Sequence, residues 1–234
     1  MRINKFVAQA TGLSRRAADR AVQEGRVTIN NRLAGVGDTV IDSSAVTLDS
    51  QPIALAGSLT IMLNKPAGYV CSRAGQGNST IYDLLPPEYH KLKPVGRLDK
   101  DSSGLLLLTN DGDLANQLAH PRYAKTKIYE ITLDKPLTEI DKTEIEQGVK
   151  VDDYVSRLRL SAINNPGLET DTRALPGTET LSWRVTMSQG RNRQIRRTFA
   201  ALGYEVESLR RIRFGAYSLG DLPAGQYREL AEQL

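Results

Sequence analysis

The sequence LSWRVTMS, at residues 181–188, alternates strictly between apolar and polar side chains. Successive side chains of a β-strand point to opposite faces, so this pattern predicts a strand with one buried face and one face in water. The stretch RLRLSAI, at 157–163, alternates in the same way through Leu158, Leu160 and Ala162. Strands of this kind are typical of antiparallel sheets. We therefore predict a largely antiparallel sheet in this part of the chain.

Three helical patterns interrupt the predicted strands. They are DLANQLAH at 113–120, LTEIDKTEIEQG at 137–148 and RNRQIRRTFAALG at 191–203. Asp113 is the expected N-cap of the first helix, because its carboxylate can accept hydrogen bonds from backbone N–H groups. In the third, we expect Arg193, Arg196 and Arg197 to share one helix face. Strands mixed with helices predict an α+β domain over residues 59–234.

The first fifty residues predict a separate, small α/β module. Apolar residues at helical spacing indicate a first helix, and Ser14 is a suitable N-cap for a second helix that ends at Gly25. A strand, an Asn-Asn turn and further extended segments follow. We predict domain 1–50, a linker at 51–58 and the larger domain after it.

Composition excludes several classes of protein. No apolar run approaches the roughly 20 residues that span a bilayer, and the amino terminus has no signal-peptide core. The single cysteine, Cys71, excludes an internal disulfide and fits a reducing cytoplasm. Together with two histidines it makes a zinc site improbable on composition. We expect a soluble, cytoplasmic, monomeric protein with no metal, no cofactor and no membrane partner.

Arginine is concentrated near the carboxyl terminus. Residues 184–213 hold eight arginines, opposed only by Glu205 and Glu207. The guanidinium group binds phosphate oxygens in pairs and stays charged, so this cluster indicates a phosphate-rich partner such as nucleic acid. A solvated charged face is the alternative.

Asp99 lies in the sequence GRLDKDSSGLLLLTNDG, between Arg97 and Lys100 and ahead of four leucines. Neighbouring cations favour its ionised form, which suits a nucleophile, a general base or a structural salt bridge. Asp101 leaves a two-carboxylate glycosidase or nucleosidase open as well. From spacing alone the structural salt bridge is the favoured interpretation, and the catalytic alternatives stay open behind it.

Four blocks, in order, resemble the bacterial ribosomal RNA pseudouridine synthases of the group named for ribosomal small-subunit pseudouridine synthase A. They are LNKPAGYVCS at 63–72, GRLD at 96–99, KIYEITL at 127–133 and GRNRQIRRTFAALGYEVESLRRIRFG at 190–215. The segment GLSRRAADRAVQEGRVTINN, at 12–31, is similar to the small S-four-like RNA-binding domain that precedes the catalytic domain in this branch.

The resemblance implies that the chain isomerises a specific uridine of ribosomal RNA to pseudouridine, without a cofactor. It implies that Asp99 acts on the ribose, that Tyr129 packs against the displaced base and that Arg196 pairs with Asp99. From the residues alone, Tyr129 is instead predicted to be a core side chain, because it shares a strand face with Ile131 and Leu133. We expect RNA contacts from a basic set made of Arg15, Arg16, Lys65, Arg97, Arg191, Arg193 and Arg197.

The architecture and RNRQIRR favour large-subunit ribosomal RNA slightly. The expected partner is ribosomal RNA or a pre-ribosomal particle, bound with a steep dependence on salt. A ribosomal RNA-binding or ribosome-assembly protein without turnover is the alternative function.

Overall fold

The computed structural model describes residues 1–42, 44–55, 57–163 and 181–231. The predicted domain at 59–234 therefore includes segments, 164–180 and 232–234, outside the described residues. Five helices and fifteen strands lie in the described part of the chain. Amino-terminal helices α1 and α2 span Ile3–Thr11 and Arg15–Gln23.

The amino-terminal module packs these two helices on a four-stranded sheet of order β2-β1-β3-β4. Its strands are β1 (Val27–Ile29), β2 (Arg32–Leu33), β3 (Val46–Leu48) and β4 (Gln51–Ile53). The predicted N-cap is confirmed, since the Ser14 hydroxyl accepts a 3.1 Å hydrogen bond from the Ala17 amide. Residues 51–53, predicted as the start of the linker, instead pair with β3, and Ala56 of that linker lies outside the described residues.

A second, nine-stranded sheet forms the larger part of the structure, in the order β11-β12-β8-β13-β7-β5-β15 with β14 on β13 and β6 on β7. Every pairing is antiparallel except β13 with β7, so the predicted α+β fold on a largely antiparallel sheet is confirmed. The strands are β5 (Thr60–Lys65), β6 (Lys93–Pro94), β7 (Ser103–Thr109), β8 (Lys127–Leu133), β11 (Arg159–Ala162), β12 (Ser182–Met187), β13 (Val206–Phe214), β14 (Tyr217–Ser218) and β15 (Tyr227–Leu230). Strands β9 (Val149–Val151) and β10 (Tyr154–Ser156) form a separate hairpin.

The four leucines of β7, residues 105–108, have no exposed surface. Leu106 and Leu108 join the main apolar cluster on one face of the sheet, whereas Leu105 and Leu107 join a second cluster on the other face. A strand covered on both faces needs a continuous apolar run, which explains why the alternation seen in β12 is absent here. This strand is the rigid base of the loop that carries Asp99.

Helices α3 (Gly112–Ala119), α4 (Glu139–Gln147) and α5 (Gln194–Ala200) pack around this sheet. The predicted N-cap of α3 was wrong: Asp111 caps the helix by accepting from two backbone amides, and Asp113 lies in the first turn. Helix α5 begins after Arg193, which has a left-handed φ of 48° at the N-cap. Arg193 therefore precedes the helix on which we predicted that it would share a face with Arg196 and Arg197.

Candidate active site

Asp99 lies on the loop between β6 and β7, at the wall of a cleft of about 780 Å³. Its side chain is 37% exposed, so the carboxylate faces the cleft and not the core. A turn follows directly, because the Ser102 amide donates a 3.1 Å hydrogen bond to the Asp99 carbonyl. The buried strand β7 then anchors the turn. The backbone around Asp99 is thus fixed while its carboxylate stays accessible.

Lys65, the last residue of β5, holds the same loop from its buried side. Its side chain has no exposed surface, and its ammonium donates to the carbonyls of Pro66 (3.0 Å), Asp99 (3.0 Å), Lys100 (3.4 Å) and Ser102 (2.7 Å). Burial lowers the pKa of Lys65, opposed by the negative charge of nearby groups. A buried side chain has no face for RNA, so the structure assigns Lys65 a positioning role in place of the predicted RNA contact.

Two arginines surround the second carboxylate of the loop, Asp101. Arg193 donates to both carboxylate oxygens at 3.0 and 2.9 Å. Arg196 lies 3.3 Å from the carboxylate through Nε, and its Nη2 donates to the Asp101 carbonyl at 3.1 Å. The hydrogen bonds from Arg193, with the charge of Arg196, lower the pKa of Asp101. Asp101 is therefore ionised and fully engaged by cations.

The partner of Asp99 differs from the one we predicted. The nearest cation in the described ion pairs is Arg193, with Nη1 at 3.7 Å from the Asp99 carboxylate. Arg196 contacts Asp101 instead, and it also donates to the Val206 carbonyl. The expected ion pair between Arg196 and Asp99 is therefore not formed. Arg196 instead binds Asp101, which lies on the same loop as Asp99. Arg193 is a site residue whose role the sequence did not distinguish from that of its neighbours.

Tyr129 lies on β8 with 7% of its surface exposed. It belongs to the main apolar cluster and it also lines the cleft that contains Asp99. Its position is therefore compatible both with a core side chain and with a residue that contacts a bound base. Its strand neighbour across the sheet is Arg211 of β13.

The predicted RNA-binding arginines occupy several places. Arg15 and Arg16 are exposed in the first turn of α2, on the amino-terminal module. Arg97 is exposed and lines the cleft. Arg191 also lines the cleft, with its Cζ 4.3 Å from the centroid of the Tyr154 ring. Arg197 is ion-paired with Asp152 and lies outside the residues that line the cleft.

Lys127 and Arg211 also line the cleft, and neither was singled out from the sequence. Arg211 is 2% exposed, and the run SLRRIRFG gave no sign that one of its arginines is buried.

Gly104 allows β7 to approach the backbone of Arg211 on β13 closely. It has a φ of +99°, and a Cβ there would lie 2.2 Å from the Arg211 carbonyl oxygen, so only glycine permits the contact between β7 and β13.

No group of three or more histidine, cysteine or acidic residues in the described part of the chain could hold a metal ion. None of the described helices is long and apolar enough to cross a membrane.

Comparison with known families and proteins gives a consistent result. The profile of RNA pseudouridylate synthases matches residues 59–201, and that of the S4 domain matches residues 1–40. Ribosomal small subunit pseudouridine synthase A of Salmonella typhimurium is 35% identical over 237 residues, covering 100% of this chain and 97% of the relative. The dual-specificity RNA pseudouridine synthase RluF of Escherichia coli (strain K12) is 34% identical over 235 residues, covering 99% and 76%.

A solved structure is similar over the same length. The crystal structure of a pseudouridylate synthase superposes with a TM-score of 0.68 at 29% identity, and it covers 99% of this chain and 96% of that one. The likeness therefore includes both the amino-terminal module and the larger domain.

Proposed function

Since the chain belongs to the RNA pseudouridylate synthase family and carries an S4 domain, we propose that it isomerises a uridine of ribosomal RNA to pseudouridine, with Asp99 acting on the sugar. The observation that carries the role of Asp99 is its contrast with Asp101. Both carboxylates lie on one loop, but Asp101 is bound by two arginines, whereas Asp99 has one cation at 3.7 Å and faces the cleft.

The reaction breaks the bond between ribose C1′ and uracil N1, turns the base and joins C1′ to C5. C5 loses its proton to solvent and N1 takes up a proton, so the product is an isomer of the substrate. Asp99 either adds to the sugar or removes a sugar proton. In both routes an ionised, accessible carboxylate at a fixed position accelerates the reaction, because misplacement of a reacting group lowers the rate steeply. Lys65, below the loop, and Arg193, beside it, would hold that position.

Tyr129 would pack against the displaced base at the wall of the cleft and assist removal of the C5 proton. Arg196 would act through Asp101, by holding the loop against α5. The target uridine must leave its stack to enter this cleft, at a cost of a few kcal/mol. Exposed arginines on α2 and at the edge of the cleft would bind the RNA backbone.

The test is release of tritium from transcripts of small- and large-subunit ribosomal RNA that carry 5-tritiated uridine. We expect wild type to release tritium from one of the two RNAs. The sequence slightly favours large-subunit RNA, whereas the name of the Salmonella typhimurium relative that covers the whole chain points to small-subunit RNA. Asp99→Asn should lower the rate at least about a hundredfold, the lower range for loss of a positioned acid or base.

Asp101→Asn is the matched control, because it makes the same change two residues away on the same loop. We expect it to lose clearly less activity than Asp99→Asn, because the asparagine keeps one carbonyl oxygen for Arg193 and Asp101 is not the carboxylate that faces the sugar. Equal losses in the two variants would contradict the assignment to Asp99. Absence of release from either RNA and from partly assembled ribosomal particles, with salt-sensitive binding intact, would establish a binding protein without turnover.

A further inference from the structure

Two cationic side chains, Arg211 and Lys127, both lie near the aromatic ring of Phe214 in the wall of the cleft. Arg211 Cζ lies 4.8 Å from the centroid of the Phe214 ring, and Lys127 Nζ lies 5.5 Å from the same centroid. Phe214 is 1% exposed, so the ring is a fixed support. Lys127 is paired with Phe214 across β8 and β13, which places the three side chains in one small region of the sheet.

Neither cation has an acidic partner in the ion pairs of the described residues. Arg211 Nε donates to the Leu105 carbonyl at 2.8 Å, but its Nη2 is buried and has no hydrogen-bond partner among the residues that the structure describes. Lys127 Nζ has only long contacts of 3.3 and 3.5 Å with the carbonyls of Ser188 and Gln189. Buried polar groups are normally paired, so an unpaired guanidinium nitrogen in a cleft indicates a missing acceptor.

The two cations also act on each other. Burial lowers the pKa of Lys127, and the positive charge of Arg211 lowers it further. A neutral acceptor would satisfy the free nitrogen but would leave this repulsion in place. An anion would do both, and the guanidinium fork suits the paired oxygens of a phosphate.

This pair of cations adjoins the candidate active site. Both side chains line the cleft that contains Asp99. Arg211 faces Tyr129 across the two strands, and Lys127 precedes Tyr129 by two positions on β8, so both project toward the same face. A nucleotide whose ribose lies at Asp99 would bring its own flanking phosphate into this region of the cleft.

We propose that Lys127 and Arg211 form a phosphate-binding site for the RNA backbone beside the target uridine, with Phe214 as its support. The proposal rests on the proposed function, since it assumes that a nucleotide occupies the cleft. It assigns the two residues to binding of the substrate and not to the bond changes at the base.

The probe is triuridylate, UpUpU, compared with its uncharged methylphosphonate analogue, and the signal is the NMR resonance of the Lys127 side chain. We expect UpUpU to shift this resonance and to bind wild type at least about tenfold more tightly than the neutral analogue, as expected for charge-assisted hydrogen bonds. Arg211→Met should weaken UpUpU binding about tenfold and remove the preference for the charged probe. Arg210→Met is the matched control, because Arg210 is exposed on the same strand and lies outside the cleft.

Equal binding of the charged and neutral probes to wild type would overturn the proposal, as would equal behaviour of the Arg211 and Arg210 variants. Because Arg211 is buried, its methionine variant is first checked for a native amide spectrum. If it does not fold, Lys127→Met is compared with Lys150→Met, a change at an exposed lysine. Binding of the two probes to these variants is followed by the backbone amide resonances of residues that line the cleft, because Lys127→Met lacks the side-chain signal.

The outcome is separable from that of the proposed function, because UpUpU binding needs no turnover. Charge-dependent binding without tritium release would contradict the proposed reaction and leave the phosphate site intact. Tritium release with no preference for the charged probe would contradict the phosphate site alone. In the active enzyme, Arg211→Lys should raise KM for RNA more than it lowers kcat, because lysine keeps the charge but lacks the fork.

Discussion

Replacing Lys65 by methionine tests whether a buried ammonium holds the loop of Asp99. Methionine has nearly the same length and fills the same space, but it cannot donate a hydrogen bond. The change removes four contacts to carbonyl oxygens, three of them at 3.0 Å or less. These carbonyls belong to the segment that follows β5 and to the turn after Asp99, which Lys65 therefore ties together.

The expected loss of stability follows from two opposing effects. A buried acceptor left without its donor costs about 1–3 kcal/mol, so three short bonds give a gross loss of roughly 3–9 kcal/mol. The wild-type ammonium is itself desolvated, which the lowered pKa of Lys65 reflects, and methionine avoids that penalty of several kcal/mol. We expect the free energy of unfolding of the larger domain to fall by about 2–5 kcal/mol, which is the part of the gross loss that the avoided desolvation does not offset.

Urea unfolding followed by circular dichroism measures this difference. With a denaturant slope of about 2–3 kcal/mol/M, the midpoint should fall by roughly 1–2 M. Lys100→Met is the control, because it removes the same charge from an exposed side chain on the same loop. A free energy of unfolding for Lys65→Met within about 0.5 kcal/mol of that control would refute the reasoning, since the bonds would then only balance the cost of burying the charge.

Three further outcomes are expected. Gly104→Ala should lower the free energy of unfolding by at least about 3 kcal/mol, because the added Cβ meets the Arg211 backbone at 2.2 Å, and thermal melting measures the loss. The hydrogen bond to Glu229 raises the pKa of Tyr89 to about 12, so ultraviolet titration should show its ionisation near that pH. The stability that this hydrogen bond gives the folded state is complete below pH 10 and is lost as the pH rises through about 12. The folded-state pKa of Asp101 lies below 3.8, so its stabilisation is present above that pH and is lost in more acidic solution; Asp101→Asn should flatten the acid limb of stability against pH.

Each of these outcomes has a control. Gly112→Ala adds the same methyl group where no atom lies within 4 Å, and a similar loss there would argue against steric contact as the cause. Tyr89→Phe should remove the highest titration step, so a step near 12 that persists in this variant belongs to another group. Wild type is the reference for Asp101→Asn: an acid limb that is equally steep in the variant would show that other groups cause it.

Much of the local structure followed from periodicity. The alternation of residues 181–188 predicted strand β12, in which Trp183, Val185 and Met187 are buried. Leu181, at 40% exposure, precedes the strand and escapes the pattern. The cap at Ser14 was also predictable, because a capping hydroxyl acts on amides only three residues away. At α3 the same reasoning selected Asp113, whereas Asp111 accepts from the amides, since two acids separated by one glycine offer the same chemistry.

The sequence by itself determined the two-part organisation, the α+β class and the family, because hydrophobic period and ordered motifs are properties of the chain read along its length. It also placed Asp99 and Tyr129 in one candidate site. Only the tertiary structure decided which cations serve that site. Lys65 is buried beneath the loop, Arg193 lies beside Asp99, and Arg211 lines the cleft with no acidic partner in the described part of the chain. These contacts join residues far apart in the chain, where β7 and β13 lie side by side, and periodicity carries no information about which charges such a pairing buries.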